Sequence, residues 1–173
     1  NPHFTRRPLY LLADIGGTKA RFAFVERDNP LPQPIATYAV EEFPSFDNVL
    51  DQLEADWLEL QQQDAVLEGA CLAVAAIPEQ REISFTNNAW RFTAASVATR
   101  LGCEQISIIN DFAAVARALP ALTADHLEAI GGGEAVPHKP MVAIGPGTGT
   151  GVASVVFDQA GAPIVLPGEG GHV

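Results

Sequence analysis

Two polar glycine turns, each set between apolar runs that read as strands, constrain this chain more than any other feature. The first is Asp14-Ile15-Gly16-Gly17-Thr18, and the second is Gly145-Pro146-Gly147-Thr148-Gly149-Thr150-Gly151. Glycine alone takes positive φ without strain, so both stretches predict tight strand-to-strand turns. Glycines also let backbone N–H groups approach an anion with no Cβ in the way. Thr18 and Thr148 add hydroxyl donors. Two such turns facing each other would hold a polyphosphate from both sides, which points to chemistry that moves a phosphoryl group.

The surrounding pattern supplies a frame. Residues 9–13 and 20–25 flank the first turn and form a hairpin, 29–32 (Asn-Pro-Leu-Pro) read as a loop, and 35–40 as a third strand. Ser45 is placed to cap a helix whose apolar face is Phe46, Val49, Leu50, Leu53, Trp57 and Leu60. A strand over 70–77 stops at Pro78, and 82–86 suggest a short extra strand. A helix over 93–101 ends at Gly102, and 105–109 form a further strand. Asn110-Asp111 then opens a helix that ends before Pro120. The order is three strands, helix, strand, helix, strand, helix. Signals weaken over 123–140, after which strands at 141–144, 152–157 and 164–166 repeat the opening pattern. The expected organisation is a first domain over 1–122, a connecting segment over 123–140, and the start of a second domain over 141–173. No helix follows to cover that second sheet, so the chain reads as a fragment whose exposed apolar strands favour self-association.

Composition narrows the class. The chain has 173 residues, 47% hydrophobic and 18% charged, as a globular protein requires. No apolar run approaches the roughly 18 residues of a membrane span. Residues 1–7 lack both a signal-peptide core and an initiator Met, as expected of a trimmed end. Ten basic against 21 acidic residues give a net charge of −11, which argues against a nucleic-acid surface. Cys71 and Cys103 lie in or beside apolar runs and read as buried free thiols of a reducing compartment.

Several residues could carry chemistry. Asp14, at the end of a strand, can hold a phosphate-bound Mg²⁺ through water, or can bond the N–H groups of its own turn. Lys19 and Arg21 are nearby cations. Asn110-Asp111 sits at the carboxyl end of a strand, where ligands gather in open α/β sheets. Asp111 could accept a proton from a hydroxyl attacking phosphorus, and the pair equally suits a helix cap. Glu169 and His172, in the glycine frame of residues 168–172, suit hydrogen bonding to a polyhydroxylated ligand. The glycines there disfavour the helix that a metal pair would need. Thr86-Asn87-Asn88-Ala89-Trp90 could line a sugar site, with Trp90 read as a packing residue. His3, His126 and His138 read as surface residues.

Five stretches in order resemble bacterial glucokinases, of the hexokinase branch of the actin-like ATPase superfamily. They are Leu12-Ala13-Asp14-Ile15-Gly16-Gly17-Thr18, Thr86-Asn87-Asn88-Ala89-Trp90, Ile109-Asn110-Asp111-Phe112, Gly145-Pro146-Gly147-Thr148-Gly149 and Leu166-Pro167-Gly168-Glu169-Gly170-Gly171-His172. The resemblance implies an α/β, ribonuclease H-like or actin-like ATPase domain: a mixed five-stranded sheet with helices on both faces, followed by the opening strands of a second similar domain. It implies transfer of the ATP γ-phosphoryl group to the 6-hydroxyl of glucose. Asp111 would be the base, and Asn110, Asp111, Glu169 and His172 the sugar contacts. Asp14, Gly16, Gly17, Thr18, Gly147, Thr148 and Gly149 would bind the phosphates, with Asp14 near Mg²⁺. It also implies a cytoplasmic, homo-oligomeric enzyme whose partners are glucose and ATP. Lys19 and Thr150 depart from the family's usual Asn and Leu, and the zinc-binding cysteine cluster of the related repressor–kinase family is absent. The half that carries the adenosine site in the family is not in this sequence, so the chain alone is expected to be inactive. The competing reading is a kinase-like module that senses sugar without catalysis.

Overall fold

The computed structural model describes residues 7–60, 65–146 and 150–169. The chain divides into two compact units, Asn1–Asp111 and Phe112–Val173. Among the described residues no helix is long and apolar enough to cross a membrane.

The first unit is built on a five-stranded sheet of order β3-β2-β1-β4-β7. Its strands are β1 (Arg7–Ile15), β2 (Lys19–Glu26), β3 (Asn29–Ala39), β4 (Ala65–Val74) and β7 (Gln105–Asn110). Between β4 and β7 lie a two-stranded ribbon, β5 (Ile83–Ser84) with β6 (Arg91–Phe92), and helix α2 (Ala94–Leu101). Helix α1 (Phe46–Leu60) joins β3 to β4. β1 pairs antiparallel with β2 and parallel with β4, and β4 pairs parallel with β7, so the sheet is mixed.

Alternation along β1 decides which face is the core. Leu9, Leu11, Ala13 and Ile15 are buried, whereas Asp14 is exposed. Leu11, Ala13 and Ile15 of this row pack in one cluster with Phe46, Val49, Leu50 and Leu53 of α1 and Val97 of α2. Each large side chain so buried contributes about 1.5–3 kcal/mol. Ser45 accepts from the Asn48 N–H at 3.2 Å and caps α1 as the sequence predicts. Thr93 and Ser96 form a reciprocal capping box on α2, and Gly102, at φ 66°, closes it.

Two strands differ from expectation. Residues 29–32 are not a loop but the start of β3, which turns back onto β2 with Glu26 facing Asn29. Pro30, Pro32 and Pro34 are tolerated because β3 is an edge strand and need not donate outward. β4 begins at Ala65, well before Gly69, and a bulge beside Leu9/Tyr10 absorbs Glu68. A Cβ on Gly69 would lie 2.9 Å from the Gln105 carbonyl oxygen, so glycine is needed there for β7 to approach. Cys103 is buried, and burial pushes its thiol up; Cys71 is only half-buried, contrary to the sequence reading.

One polar pair at the edge of the core, buried Tyr38 with accessible Asp56, carries a pH dependence. The Tyr38 hydroxyl donates to Asp56 Oδ2 at 2.6 Å. Burial, then this bond, raises the Tyr38 phenol well above its ordinary range, and the same bond holds the Asp56 carboxyl low. A raised native pKa contributes stability that is lost as pH rises above the unfolded tyrosine value of about 10. A lowered one contributes stability that is lost as pH falls below about 4. Tyr38→Phe is therefore expected to cost about 1 kcal/mol near neutrality. The cost should shrink toward both extremes in urea titrations run across pH. A pH-independent difference would contradict the assignment.

The second unit contains most of helix α3 (Asp111–Ala118) and an antiparallel sheet of order β10-β9-β8. Its strands are β8 (Met141–Pro146), β9 (Thr150–Phe157) and β10 (Pro163–Glu169). Like β1–β3, it is a meander that begins with a hairpin across a polar turn. Ala143, Ala153 and Val155 are buried on one face; Val142, Ile144, Ile164 and Leu166 stand exposed on the other. β10 runs on through Pro167 to Glu169, where the sequence predicted a loop. Pairing of Pro167, Gly168 and Glu169 with Ala153, Val152 and Gly151 continues the ladder, and Pro167 is tolerated on an edge strand.

Candidate active site

Parallel pairing places the candidate residues of the first unit along one edge. Ile15 of β1 is in register with Val74 of β4, and Val74 with Asn110 of β7. The three strands thus end on one rung, and their exits, Gly16-Gly17, Ala75-Ala76 and Asn110-Asp111, emerge side by side. Two strand spacings, roughly 10 Å, separate the outer exits. This is the carboxyl edge at which open α/β sheets gather ligands.

The first turn is held by its own backbone. Gly16 N–H donates to the Lys19 carbonyl at 2.9 Å, and Val40 N–H to the Thr18 carbonyl at 2.9 Å. The Gly16 N–H is therefore spent, and Gly17 and Thr18 carry the N–H groups that the turn can offer outward. Neither Gly16 nor Gly17 adopts a left-handed φ, which corrects the conformational reason given above for these glycines. Their value is access: a Cβ on Gly17 would meet the Asn87 side-chain amide nitrogen at an ordinary 3.6 Å. Asp14, exposed on β1, faces Arg21 on β2 and accepts from its guanidinium at 2.9 Å.

Asn110 is the last residue of β7 and Asp111 the first of α3, both half-buried. Asn110 Nδ2 lies 3.5 Å from the Ala76 carbonyl, at the limit of a hydrogen bond, and so faces the neighbouring strand exit.

The neck of the second turn belongs to the second unit. Gly145 and Gly151 face each other across the β8–β9 ladder, and Glu169 of β10 is the backbone partner of Gly151. Gly145 and Pro146 belong to β8, and Thr150 and Gly151 to β9, so what the sequence read as one long turn is largely strand. Gly147, Thr148, Gly149 and His172 lie outside the described residues, as does the Glu169 side chain.

Residues 11–173 match the family model described as Glucokinase. The chain belongs to the glucokinase family. It is 38% identical over 164 residues to a glucokinase of Photorhabdus laumondii, spanning 94% of this chain and 49% of that protein. Its fold is similar to the crystal structure of a glucokinase from an Antarctic psychrotroph, with a TM-score of 0.77 and 31% identity over 95% of this chain and 51% of that one. It is also similar to a Balamuthia mandrillaris glucokinase determined with glucose, at TM-score 0.66 and 22% identity over 96% of this chain and 49% of that one, a likeness of fold alone. The chain spans about half the length of the glucokinases it matches.

Within this glucokinase-family frame, the β5–β6 ribbon carries the loop of residues 86–90, which the sequence reading offered as a lining for a sugar site, and its Asn87 amide lies beside the Gly17 turn. Asn88 Oδ1 accepts from the Trp90 N–H at 2.9 Å and shapes that loop. Trp90 is buried, as predicted for a packing residue. An Asn-Asn pair before a buried aromatic was the available signal, but nothing in sequence shows which turn it meets.

Proposed function

We propose that this chain supplies the first half of a kinase that transfers the γ-phosphoryl group of ATP to the 6-hydroxyl of glucose. One observation carries the reading. In a chain of the glucokinase family, the Asp14–Thr18 turn and Asn110-Asp111 leave parallel strands on either side of β4, at the same edge of one sheet. In the proposed reaction the glucose 6-hydroxyl oxygen attacks the γ-phosphorus and Asp111 takes its proton. The new P–O bond forms as the bond to the β–γ bridging oxygen breaks, and ADP leaves. Asn110, Glu169 and His172 hydrogen-bond the sugar hydroxyls. Gly17, Thr18, Gly147, Thr148 and Gly149 bring N–H and hydroxyl donors to the phosphates. Residues 141–173 open the larger of two domains in this reading.

The residues present suit Mg²⁺ only as an ion held chiefly by phosphate. Among the described residues no group of three His, Cys, Asp or Glu could cage a metal, and Asp14 already pairs with Arg21. Mg²⁺ is commonly bound through one or two carboxylates together with phosphates and water, and Asp14 fits such a place. The ion would neutralise charge on the phosphate oxygens.

ATP-dependent formation of sugar 6-phosphate across a hexose panel, by the full-length polypeptide carrying this sequence, tests the proposal. Turnover with glucose is expected; glucose binding without turnover would replace the kinase with a sugar sensor. The 173-residue chain alone is expected to give only background turnover, since it spans half the relatives' length.

Gly17→Ala probes the first turn. The added Cβ meets only ordinary contacts and needs no left-handed φ, so unfolding free energy should stay within about 1 kcal/mol of the parent. Nucleotide affinity of the full-length protein is expected to fall at least about tenfold as the methyl blocks approach to the N–H groups. Unchanged affinity would remove Gly17 from the phosphate site.

A further inference from the structure

We infer that Phe112 is a positioning residue that keys the start of α3, and with it Asp111, to the neck of the second glycine turn. The inference rests on the kinase reading of Asp111. The observation is steric. A Cβ on Gly145 would collide with Phe112 Cζ and lie 2.9 Å from Cε1. A Cβ on Gly151 would collide with Cε2 and Cδ2 and lie 2.5 Å from Cζ. Real Cβ contacts are not that short. The ring therefore lies across both Cα positions of one cross-strand pair, in a slot that only two glycines can leave open.

Gly145 and Gly151 do not adopt left-handed φ, so backbone freedom does not account for them. Room for the ring does. Pro146 and Thr150 are the next residues inward along each strand, so the slot sits at the root of the turn. Phe112 directly follows Asp111 on α3. One rigid side chain thus gauges the separation between the helix start and the hairpin neck. A shift of α3 either drives the ring into backbone or opens a void, and close packing resists both. The reaction needs this gauge because base and phosphoryl group arrive on different elements. A misplacement of about 1 Å can cost about a hundredfold in rate.

The test uses Phe112→Leu and Phe112→Ala in the full-length protein, with Gly151→Ala alone and combined with Phe112→Ala. Phe112→Leu is expected to lower kcat about 10- to 100-fold while the KM for glucose changes less than about threefold. Because loss of folded protein also lowers apparent kcat at constant KM, kcat is taken per folded molecule, with the folded fraction measured on the same preparation. Gly151→Ala alone should lower Tm, and Phe112→Ala should relieve part of that loss because the methyl then has space. A kcat within about threefold of the parent in folded Phe112→Leu would overturn the inference. Additive stabilities in the double variant would overturn the slot itself. Absence of glucose turnover in the parent would instead overturn the kinase reading, and the double-variant cycle would still decide whether Phe112 keys the neck. If Phe112→Ala does not fold, Phe112→Leu and Gly151→Ala still report: an unchanged Tm in Gly151→Ala would also reject the slot.

Discussion

Trp90→Ala is expected to lower the unfolding free energy of the first unit by about 3–5 kcal/mol, the range for truncating a buried Trp or Phe. Trp90 is 1% exposed, and its ring lies against Phe46 with centroids 5.7 Å apart. Its Nε1–H donates to the Phe43 carbonyl at 2.9 Å, so truncation leaves a cavity and removes that carbonyl's side-chain donor. The residue also closes the loop that brings Asn87 to the Gly17 turn, and Phe92, two positions on, stacks on Phe46 at 4.3 Å. Loss of the indole should therefore free the β5–β6 ribbon as well as weaken the core. Urea unfolding followed by circular dichroism measures the first effect. Trp90→Phe separates the terms: it keeps most of the ring volume and should cost far less, about 1–2 kcal/mol for the lost hydrogen bond and altered shape. A Trp90→Ala cost below about 1 kcal/mol would mean that the ribbon is held by other contacts.

How much of this was legible in sequence depends on whether a residue's role is local or set by distant neighbours. The first glycine turn, the α1 face of Phe46, Val49, Leu50 and Leu53, the cap at Ser45, the end of α2 at Gly102, and the Asn110-Asp111 junction are local patterns, and they lie where the sequence reading placed them. The strand start at Asn29 was hidden because three prolines announce a loop unless the strand is at an edge, and edge position is a property of the sheet. The run of β10 to Glu169 was hidden for the same reason at Pro167. The glycines teach a sharper lesson. The sequence reading placed Gly145 and Gly151 in a turn, yet they make room for Phe112, and Gly69 within β4 makes room for β7. Composition cannot separate a glycine that bends from a glycine that clears space, because the second kind is defined by a side chain far along the chain. Asn87 is the same case in reverse: sequence marks it as a polar loop residue, and only the ribbon shows that it lies beside Gly17.

Asp111→Asn in the full-length protein is expected to reduce kcat about 10²- to 10⁴-fold, the usual contribution of a positioned general base. That corresponds to about 3–5 kcal/mol of barrier. Two roles compete for this side chain, and their magnitudes separate them. As the first residue of α3, an acidic group interacts with the helix N-terminus, which is worth only about 0.3–1 kcal/mol in stability. Asparagine serves nearly as well at a helix start, so the variant should unfold within about 1 kcal/mol of the parent. It keeps the shape and much of the hydrogen bonding of the carboxylate but cannot take the hydroxyl proton. The KM for glucose should therefore move little while kcat collapses, the pattern of an interaction made only in the transition state. The measurement is steady-state formation of glucose 6-phosphate at saturating ATP, with thermal unfolding of the same preparations. A kcat loss under about tenfold with unfolding unchanged would reject Asp111 as the base and leave it a sugar contact at the head of a helix. A stability loss of several kcal/mol would show that the carboxylate anchors the β7–α3 junction, and only activity per folded molecule would then bear on its proton.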